Sequence, residues 1–227
     1  MKKIYSKSFS ELTPESSYWL GFLAADGCIY KSPAGQLSLY ISLNKNDLEH
    51  LQLLKNFLKC KNKIYERKET NSYQLRIGNK KMCIDIMKYG ILPRKSTIGN
   101  DLLLDIPDNM KDYFIAGYFD GDGSIFTYTK TSSYKNKNYV YKIPVVTITS
   151  NLLTSKSIIS YLKTNYNFKK LSIVKNGSVY RIRWDRLTDI MEFYKLYRKS
   201  SVHLKRKISK YNMLNKTYKC VYNQEKI

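Results

Sequence analysis

Two Asp-Gly pairs, Asp26-Gly27 and Asp122-Gly123, end two similar segments of the chain and are the residues best suited to chemistry. The segments read YWLGFLAADGCIY and FIAGYFDGDGSIF, with an offset of 96 residues (122 − 26). Each pattern predicts a helix that a glycine closes, so each carboxylate falls at a helix C-terminus, which carries partial negative charge. A carboxylate in that position is costly unless a positive charge lies beside it.

Small residues in both segments predict that the two helices pack side by side about a pseudo-two-fold axis. Gly21 and Ala25 are four residues apart, as are Gly117 and Gly121. Close packing would place the two aspartates next to each other, where they repel, and divalent cations remove that repulsion. Paired metals suit in-line attack on a phosphodiester. An Asp-Gly pair can also be a simple C-cap turn, but two equivalent pairs in a strongly basic chain favour a metal site.

The charge of the chain points to a polyanionic partner. The 227 residues include 40 Lys+Arg and 18 Asp+Glu, a net charge of +22. A hydrophobic content of 43% with 14% aromatic residues excludes a disordered basic tail. No apolar run approaches the roughly 20 residues that span a bilayer. The N-terminus lacks the apolar core that we would expect of a signal peptide. The cysteines and histidines do not have the spacing of a zinc site. A folded protein of this charge is expected to bind nucleic acid.

A second echo in the sequence supports two similar halves. The segment DIMKYGILPRKS at 85–96 resembles DIMEFYKLYRKS at 189–200. We expect an N-terminal repeat at 1–105 and a C-terminal repeat at 106–227, joined by the turn-rich stretch 99–112. Hydrophobic patterns predict the order α-β-β-α-β-β-α in each half. This is an α+β fold of two pseudo-symmetric αββαββα repeats, each with an antiparallel sheet that has one polar face.

Local signals predict where several elements begin and turn. Thr13 is the expected N-cap of the first motif helix, with Pro14 at its first position. Asp108 or Asn109 is expected to cap the second motif helix. The Asn176-Gly177 pair predicts a tight hairpin turn.

The segments Trp19–Gly27 (WLGFLAADG) and Ile115–Gly123 (IAGYFDGDG) resemble the two LAGLIDADG motifs of the monomeric, two-repeat homing endonucleases. The order of elements in each half matches as well, so the resemblance covers nearly the whole chain. The second motif is close to the family pattern, whereas the first has Ala24 opposite Asp120. In the family the later aspartate of each motif binds metal, which implies that role for both Asp-Gly aspartates and a helix-end structural role for Asp120.

The resemblance further implies that the two saddle-like sheets lie in the DNA major groove, and that a double-strand break with 3′ overhangs is made at a long, asymmetric target. It also implies basic and polar groups around the acidic pair. The implied catalytic residues are Asp26, Asp122, Lys95, Lys207, Lys45 and Ser150, and the implied metal site comprises Asp26, Asp122, Ala25 and Gly121. The second echo would pair Lys95 with Lys199 instead, but the LKRK sequence that opens the last predicted helix favours Lys207.

Polar residues at alternating strand positions are the expected DNA contacts, because a β-ribbon fits the major groove and Gln and Arg can hydrogen-bond base edges. A solvated sheet face would alternate in the same way, and the shortage of acids in these strands favours DNA. The predicted contacts are Gln36, Ser38, Tyr40, Lys63, Tyr65, Arg67, Gln74, Arg76, Tyr139, Tyr141, Lys170, Ser172, Arg181 and Arg183. The stretch 130–142, longer than its first-half counterpart, is predicted to be a loop that orders on DNA.

These features predict a site-specific double-strand DNA endonuclease that uses two or three Mg²⁺ ions, for which Mn²⁺ would substitute. His50 and His203 have the context of surface or packing residues, so we expect the metal to activate the attacking water. The expected partner is double-stranded DNA. We expect a monomer without membrane attachment, in the cytoplasm (nucleoid) of a bacterium or phage host or in an organellar matrix.

The alternative is an RNA maturase on the same scaffold, which would bind its host intron RNA without nuclease activity. The two clashing carboxylates favour cleavage, because a pure binding protein has no use for them.

Overall fold

The computed structural model describes residues 8–93, 99–134 and 137–224. Its helices are α1 (Pro14–Asp26), α2 (Leu48–Phe57), α3 (Lys80–Met87), α4 (Lys111–Asp122), α5 (Leu152–Asn165), α6 (Leu187–Tyr197) and α7 (Lys205–Gln224). Its strands are β1 (Gly27–Lys31), β2 (Leu37–Asn44), β3 (Ile64–Arg67), β4 (Ser72–Gly78), β5 (Gly123–Tyr134), β6 (Lys137–Ser150), β7 (Ser172–Asn176) and β8 (Val179–Trp184). The predicted order α-β-β-α-β-β-α is confirmed in each half, and α7 follows the second. Among these residues no helix is long and apolar enough to cross a membrane.

Two four-stranded antiparallel sheets have the orders β1-β2-β4-β3 and β5-β6-β8-β7, which confirms the α+β class. Their registers correspond: Tyr40 is paired with Arg76 in the first sheet and Thr147 with Arg183 in the second, an offset of 107 residues in both strands (147 − 40 and 183 − 76). Side chains alternate across a strand, so these residues share one face of each sheet. The neighbouring positions, such as Leu75, face the buried core.

The motif helices α1 and α4 lie against each other in the core, and most of their residues are buried. Gly21 of α1 lies against the carbonyl oxygen of Phe114, and Gly117 of α4 lies against the carbonyl oxygen of Tyr18. A Cβ at either glycine would overlap that oxygen. The two contacts are related by the repeat offset of 96 residues (114 − 18), so the helices pack about a pseudo-two-fold axis, as predicted.

The start of α1 is capped as predicted, but the start of α4 is not. Ser16 N donates to Thr13 Oγ1 at 3.2 Å, Thr13 N donates to Ser16 Oγ at 2.7 Å, and Pro14 lies in the first turn. The prediction of Asp108 or Asn109 as the cap of α4 was wrong. The N-cap is Met110, which makes no side-chain cap bond, because a 3-10 turn over residues 108–110 leads into the helix.

Gly27 and Gly123 follow the motif helices as predicted, but neither adopts the left-handed conformation that usually explains a glycine at the end of a helix. Their φ angles are −79° and −90°, which any residue can adopt. A Cβ at Gly27 would lie 2.7 Å from the carbonyl oxygen of Leu23, and a Cβ at Gly123 would collide with Phe119. Glycine is needed here because the strand passes so close to the helix that precedes it.

The last hairpin turns one residue later than predicted. Asn176 is paired with Val179, which leaves Gly177 and Ser178 as the loop. Gly177 has a φ of +62°. A two-residue hairpin loop with a positive φ at its first position needs glycine there.

The stretch 130–142 is paired as β-structure over its described residues, so the loop prediction was wrong. β5 and β6 stay paired from Gly123 out to Tyr134. This part of the chain contains Thr131 and three tyrosines, which favour strands.

Candidate DNA-cleavage site

Asp26 and Asp122 end α1 and α4 on the same side of the helix pair, and both are exposed. The Cβ that Gly121 lacks would overlap the Cβ of Ala25 and lie 3.3 Å from Oδ2 of Asp26. The last turns of the two helices are therefore in contact. There is room for the methyl group of Ala25 but not for a second one at Gly121. The structure brings together the two predicted carboxylates and the two residues that precede them.

Tyr118 lies beneath both carboxylates and is a site residue that sequence reasoning missed. It is 3% exposed, and its hydroxyl lies 3.3 Å from the main-chain oxygen of Thr149. Burial, the charge of Asp122, a hydrogen bond to Asp122 and the charge of Asp26 raise the Tyr118 pKa well above its usual value, so the phenol stays a neutral donor. Its spacing of four residues before Asp122 is the signal that could have revealed it. The equivalent residue of α1 is Phe22 (118 − 96), which cannot donate.

Lys207, near the start of α7, lies at the C-terminus of α4. Its side chain is buried, and Nζ donates to the carbonyl oxygens of Phe119 at 2.6 Å and Asp120 at 2.7 Å, with that of Gly121 at 3.4 Å. The last carbonyls of a helix lack intrahelical partners, so the buried ammonium both satisfies them and offsets their negative charge. Burial lowers the Lys207 pKa to about 8, and the neighbouring aspartates oppose that shift.

Lys199 lies at the opposite end of α4. Its Nζ donates to Oδ2 of Asp112 at 2.5 Å and to the hydroxyl of Tyr166 at 2.9 Å, and Asp112 belongs to the first turn of α4. Of the two candidate lysines, Lys207 is the one beside the acidic pair. Lys95, the first-half candidate, lies outside the described residues.

Lys45 and Ser150 occupy different environments. Lys45 is exposed and begins a short 3-10 turn after β2. Ser150 is 5% exposed, and its hydroxyl lies 2.5 Å from Ser155 Oγ and 3.1 Å from the carbonyl oxygen of Asn151. The sheet registers place Ser150 level with Leu43 (150 − 107) rather than with Lys45, since only the first half has the extra 3-10 turn before its next helix.

Asp120 is fully buried and bound into the fold. It accepts hydrogen bonds from the hydroxyls of Tyr18 at 2.5 Å and Tyr197 at 2.6 Å and from Leu204 N at 2.8 Å. Burial raises the Asp120 pKa, and these hydrogen bonds oppose the rise. Asp120 thus ties α4 to α1, to α6 and to the segment before α7, whereas Ala24 fills the equivalent position of α1.

His50 packs inside the first repeat instead of facing the acidic pair. The rings of Trp19 and Phe22 lie against it, and its Nε2 is 3.2 Å from the hydroxyl of Tyr18. Because Tyr18 donates its proton to Asp120, the imidazole donates through Nε2. Burial, followed by nearby positive charges, lowers the His50 pKa to about 3. The ring is therefore neutral and serves as a packing residue.

The predicted DNA contacts of the first half share one face of the first sheet. Cross-strand pairing puts Gln74 between Ser42 and Tyr65, and the Arg76 guanidinium stacks 4.9 Å from the centre of the Tyr40 ring. By the same alternation, this face carries Ser38, Tyr40, Tyr65, Arg67, Gln74 and Arg76, with Gln36 and Lys63 directly before β2 and β3. Ser38 is the least accessible of the set, at 6% exposure.

A cavity of about 490 Å³ lies between this sheet face and Asp26. It is lined by Asp26, Cys28, Tyr30, Tyr40, Ser42 and Gln74. The end of α1 and this sheet face therefore line the same open hollow.

The predicted contacts of the second half share the corresponding face of the second sheet. By register this face carries Arg181, Arg183, Ser172, Tyr139 and Tyr141, and Lys170 precedes β7. The Arg183 guanidinium stacks 5.4 Å from the centre of the Tyr128 ring and lies 3.3 Å from Oδ2 of Asp185. Tyr128, which sequence reasoning missed, thus provides from β5 the aromatic contact that Tyr40 provides from β2.

The donor set at the acidic pair fits a hard divalent cation. Two exposed carboxylates and the carbonyl ends of two helices offer only oxygen, which Mg²⁺ prefers. Within the part of the chain that the structure describes, no group of three or more His, Cys, Asp or Glu side chains is placed to hold a metal. Asp26 and Asp122, with the carbonyl ends of their helices, are the groups placed to hold such an ion, and water and phosphate oxygens can complete its ligands.

Comparisons with known proteins point to one family. Residues 13–84 match the family model described as a LAGLIDADG-like domain. I-SmaMI bound to uncleaved DNA target in the presence of calcium ions matches with a TM-score of 0.70 and 17% identity, over 95% of this chain and 93% of that chain. I-SmaMI bound to cleaved DNA matches with a TM-score of 0.66, 18% identity and coverages of 95% and 91%. The meganuclease I-AabMI bound to uncleaved DNA matches with a TM-score of 0.67 and 15% identity, over 94% of this chain and 92% of that chain. No curated protein sequence matches the chain.

The two motif helices, each with its own four-stranded antiparallel sheet, resemble a single chain with two LAGLIDADG repeats, and the family model itself covers residues 13–84. Among the solved structures that the chain resembles over nearly its whole length are I-SmaMI and I-AabMI. The resemblance that the two motifs indicated is thereby confirmed. At 15% to 18% identity the likeness establishes the fold, and the activity depends on the chemistry of the site.

Proposed function

We propose that this protein is a site-specific double-strand DNA endonuclease that requires a divalent cation, Mg²⁺ or its substitute Mn²⁺. The main support is the position of Asp26 and Asp122, two exposed carboxylates at adjoining helix C-termini, in a chain of net charge +22. Polar sheet faces lie on both sides of them. I-SmaMI and I-AabMI have been solved bound to DNA targets, in one case cleaved, which supports duplex DNA as the substrate.

The residues of the chain would hold and orient the reacting groups. Asp26 and Asp122 would bind divalent ions, which when bound activate water and neutralise charge on a phosphate. Lys207 would hold the carbonyl end of α4 and offset negative charge beside Asp122, and Tyr118 would orient that carboxylate by donating to it. Because α1 and α4 pack backbone to backbone, both carboxylates have fixed positions relative to the two sheets.

The two sheet faces would select the target. Arginine and glutamine side chains can hydrogen-bond base edges in the major groove, and exposed lysines would bind phosphates. We propose that the N-terminal repeat ends at residue 105 and that the C-terminal repeat begins at residue 106. Because one chain contains both repeats, a monomer would bind one asymmetric duplex. Two different faces favour a target whose half-sites differ in sequence.

A selection from randomised duplex DNA tests this function. We expect one extended target to be cleaved in Mg²⁺ and bound without cleavage in Ca²⁺, because Ca²⁺ accepts the same ligands with looser geometry. Sequencing of the cut ends identifies the target and the overhang. The proposal fails if no DNA is cut in Mg²⁺ or Mn²⁺, or if the protein instead binds structured RNA in preference to every duplex.

Lys207→Met should lower the cleavage rate by at least about 100-fold, the usual cost of losing one electrostatic stabiliser. Target affinity in Ca²⁺ should stay within about tenfold, because the side chain is buried away from the sheet faces. Lys199→Met is the matched control, since that lysine lies at the other end of α4, and it should cleave like the unmodified protein. Single-turnover cleavage with thermal unfolding of each variant separates a catalytic loss from a folding defect. Equal cleavage rates for the two variants would show that Lys207 has no special role in cleavage.

A further inference from the structure

The turn that begins α7 is attached to α4 at both of its ends by a single residue, Asp120. Oδ2 of Asp120 accepts a hydrogen bond from Leu204 N at 2.8 Å, and the main-chain oxygen of Asp120 accepts one from Lys207 Nζ at 2.7 Å. Lys207 N in turn donates to the main-chain oxygen of Leu204 at 2.8 Å. These three bonds form a closed ring of Asp120, Leu204 and Lys207, which we call the Asp120 clamp. The clamp fixes the position of the Lys207 ammonium relative to α4.

The carboxylate of the clamp is itself held by two tyrosines from other helices. Tyr18 of α1 donates to Oδ2 at 2.5 Å, and Tyr197 of α6 donates to Oδ1 at 2.6 Å. Asp120 and both tyrosines are 0% exposed. Hydrogen bonds in a buried network of this kind rigidify its members, so the bond from Asp120 to Leu204 N has a fixed direction.

The Lys207 ammonium depends on the clamp because burial removes it from water. Lys207 is 2% exposed, and a buried ammonium needs hydrogen-bond acceptors and a negative charge nearby. The carbonyl oxygens of Phe119 and Asp120 are its nearest acceptors. Burial lowers the Lys207 pKa, and among the charges that oppose this shift Asp120 has the largest effect, ahead of the two exposed carboxylates. Removing the Asp120 carboxylate would therefore loosen the ammonium.

The first repeat has no equivalent of the clamp carboxylate. Ala24 occupies the position that corresponds to Asp120 (120 − 96) and is also buried. A repeat of this fold can thus form with a methyl group in that place, and the carboxylate is not required for the helix itself. What the carboxylate adds in the second repeat is the attachment of residues 204–207 to α4.

We propose that Asp120 is a positioning residue for DNA cleavage, which holds the start of α7 so that the Lys207 ammonium stays at the C-terminus of α4, beside the acidic pair. This inference rests on the proposed function, in which Lys207 offsets negative charge beside Asp122, and it adds the group that puts Lys207 there. Because Asp120 is fully buried, it acts through Lys207 and not on the DNA.

Chemical labelling of lysines tests the clamp without DNA cleavage. A pulse of acetic anhydride acetylates exposed amines, and mass spectrometry compares the yield at Lys207 with that at Lys205, which is exposed on the same helix. Lys207 should be protected in the unmodified protein. Asp120→Ala, which gives the second motif the alanine of the first, should raise the relative yield at Lys207 at least about tenfold, because hydrogen bonds to charged groups are the stronger ones. An unchanged yield would overturn the proposal.

Asp189→Ala is the matched control for the labelling. Asp189 is another fully buried acid of the second repeat, but it accepts hydrogen bonds from Lys169 N and Lys170 N instead of from the start of α7. This variant should also lower the unfolding temperature, and it should leave Lys207 protected. Equal labelling of Lys207 in the two alanine variants would overturn the proposal, because general loosening of the repeat would then account for both.

A milder pair of variants on α6 gives the answer if Asp120→Ala does not fold. Tyr197→Phe removes one donor from Asp120 and keeps the ring, whereas Tyr194→Phe removes a donor from Asn212, further along α7. Tyr197→Phe should raise the relative yield at Lys207 about threefold, the effect of one modest hydrogen bond. Tyr194→Phe should not change it, and identical yields in the two tyrosine variants would contradict the clamp.

Cleavage kinetics test whether the position of Lys207 matters for the reaction. With protein in excess over DNA, Asp120→Ala should lower the single-turnover rate at least about tenfold, since a displacement of about 1 Å can cost about 100-fold. Target affinity in Ca²⁺ should stay within about tenfold. Adding Asp120→Ala to Lys207→Met should cause no further loss of rate, because residues that act as a unit are not additive. Additive losses would overturn the positioning role. If the unmodified protein cuts no DNA, the proposed function fails, and the labelling of Lys207 still decides on the clamp.

Discussion

Asp26→Asn and Asp122→Asn should each abolish double-strand cleavage, with a loss of about 1,000-fold or more, the upper range for removing one electrostatic stabiliser. Each change removes the charge of one of the two carboxylates that we propose to hold the divalent ion, and it leaves the size of the side chain unchanged. The sheet faces remain intact, so target affinity in Ca²⁺ should stay within about tenfold. Plasmid cleavage and a gel-shift titration measure the two effects separately.

Asp108→Asn is the matched control for these variants. Asp108 is an exposed acid that pairs with Lys111 at the start of α4, so the same chemical change is made in the 3-10 turn before α4, away from Asp26 and Asp122. It should leave cleavage unchanged. Full activity in either Asp26→Asn or Asp122→Asn would disprove the proposed site, whereas equal losses in all three variants would indicate a general effect of reduced charge.

Thermal unfolding gives a readout of the same site that does not depend on activity. Two carboxylates at adjoining helix C-termini repel each other and the helix dipoles, so each Asn variant should unfold at a slightly higher temperature than the unmodified protein without metal. A ligand that binds only the folded state raises the unfolding temperature. Mg²⁺ should therefore stabilise the unmodified protein more than a variant with both changes. The opposite order would contradict a metal site at these residues.

The acidic pair could be predicted from the sequence because the chain repeats itself. A single Asp-Gly pair can be explained as a simple turn. Two such pairs, each preceded by small residues four apart, predict that two helices pack together and that an aspartate ends each of them. The structure brings the ends of both helices together, and the four-residue spacing of Gly21 with Ala25 and of Gly117 with Gly121 predicted the close contact of the helices. Repetition supplied the long-range information that a single segment lacks.

Other parts of the site depend on tertiary contacts that local patterns do not encode. Lys207 is one of many lysines. The LKRK sequence favoured it over Lys199, and the packing of α7 against α4 places its ammonium at the C-terminus of α4. Tyr118 has a detectable spacing from Asp122, but aromatic residues in a motif helix are usually core. The loop prediction for residues 130–142 rested on their greater length than the first-half counterpart, and it was wrong because the extra residues lengthen the β5–β6 hairpin.

Gly21→Ala and Gly117→Ala should each destabilise the protein by about 3 kcal/mol, the upper range for overpacking a well-packed interior. The added Cβ would overlap a carbonyl oxygen of the opposite helix, Phe114 in one case and Tyr18 in the other. A backbone carbonyl within a helix cannot move aside alone, so the two helices must separate. Urea denaturation followed by tryptophan fluorescence measures the loss, because Trp19 and Trp184 are buried.

The sign of the effect separates packing from helix propensity. Alanine in a helix interior is more favourable than glycine by about 1 kcal/mol, so propensity alone predicts that both variants are stabilised. Gly99→Ala is the control, because a Cβ there meets nothing within 4 Å, and its stability should be unchanged or higher by less than about 1 kcal/mol. If the motif glycines behave like Gly99, the helices do not approach as closely as the structure shows, and the acidic pair at their ends loses the scaffold that places its carboxylates together. If both variants lose similar stability, the two halves share the interface equally, as the pseudo-two-fold axis requires.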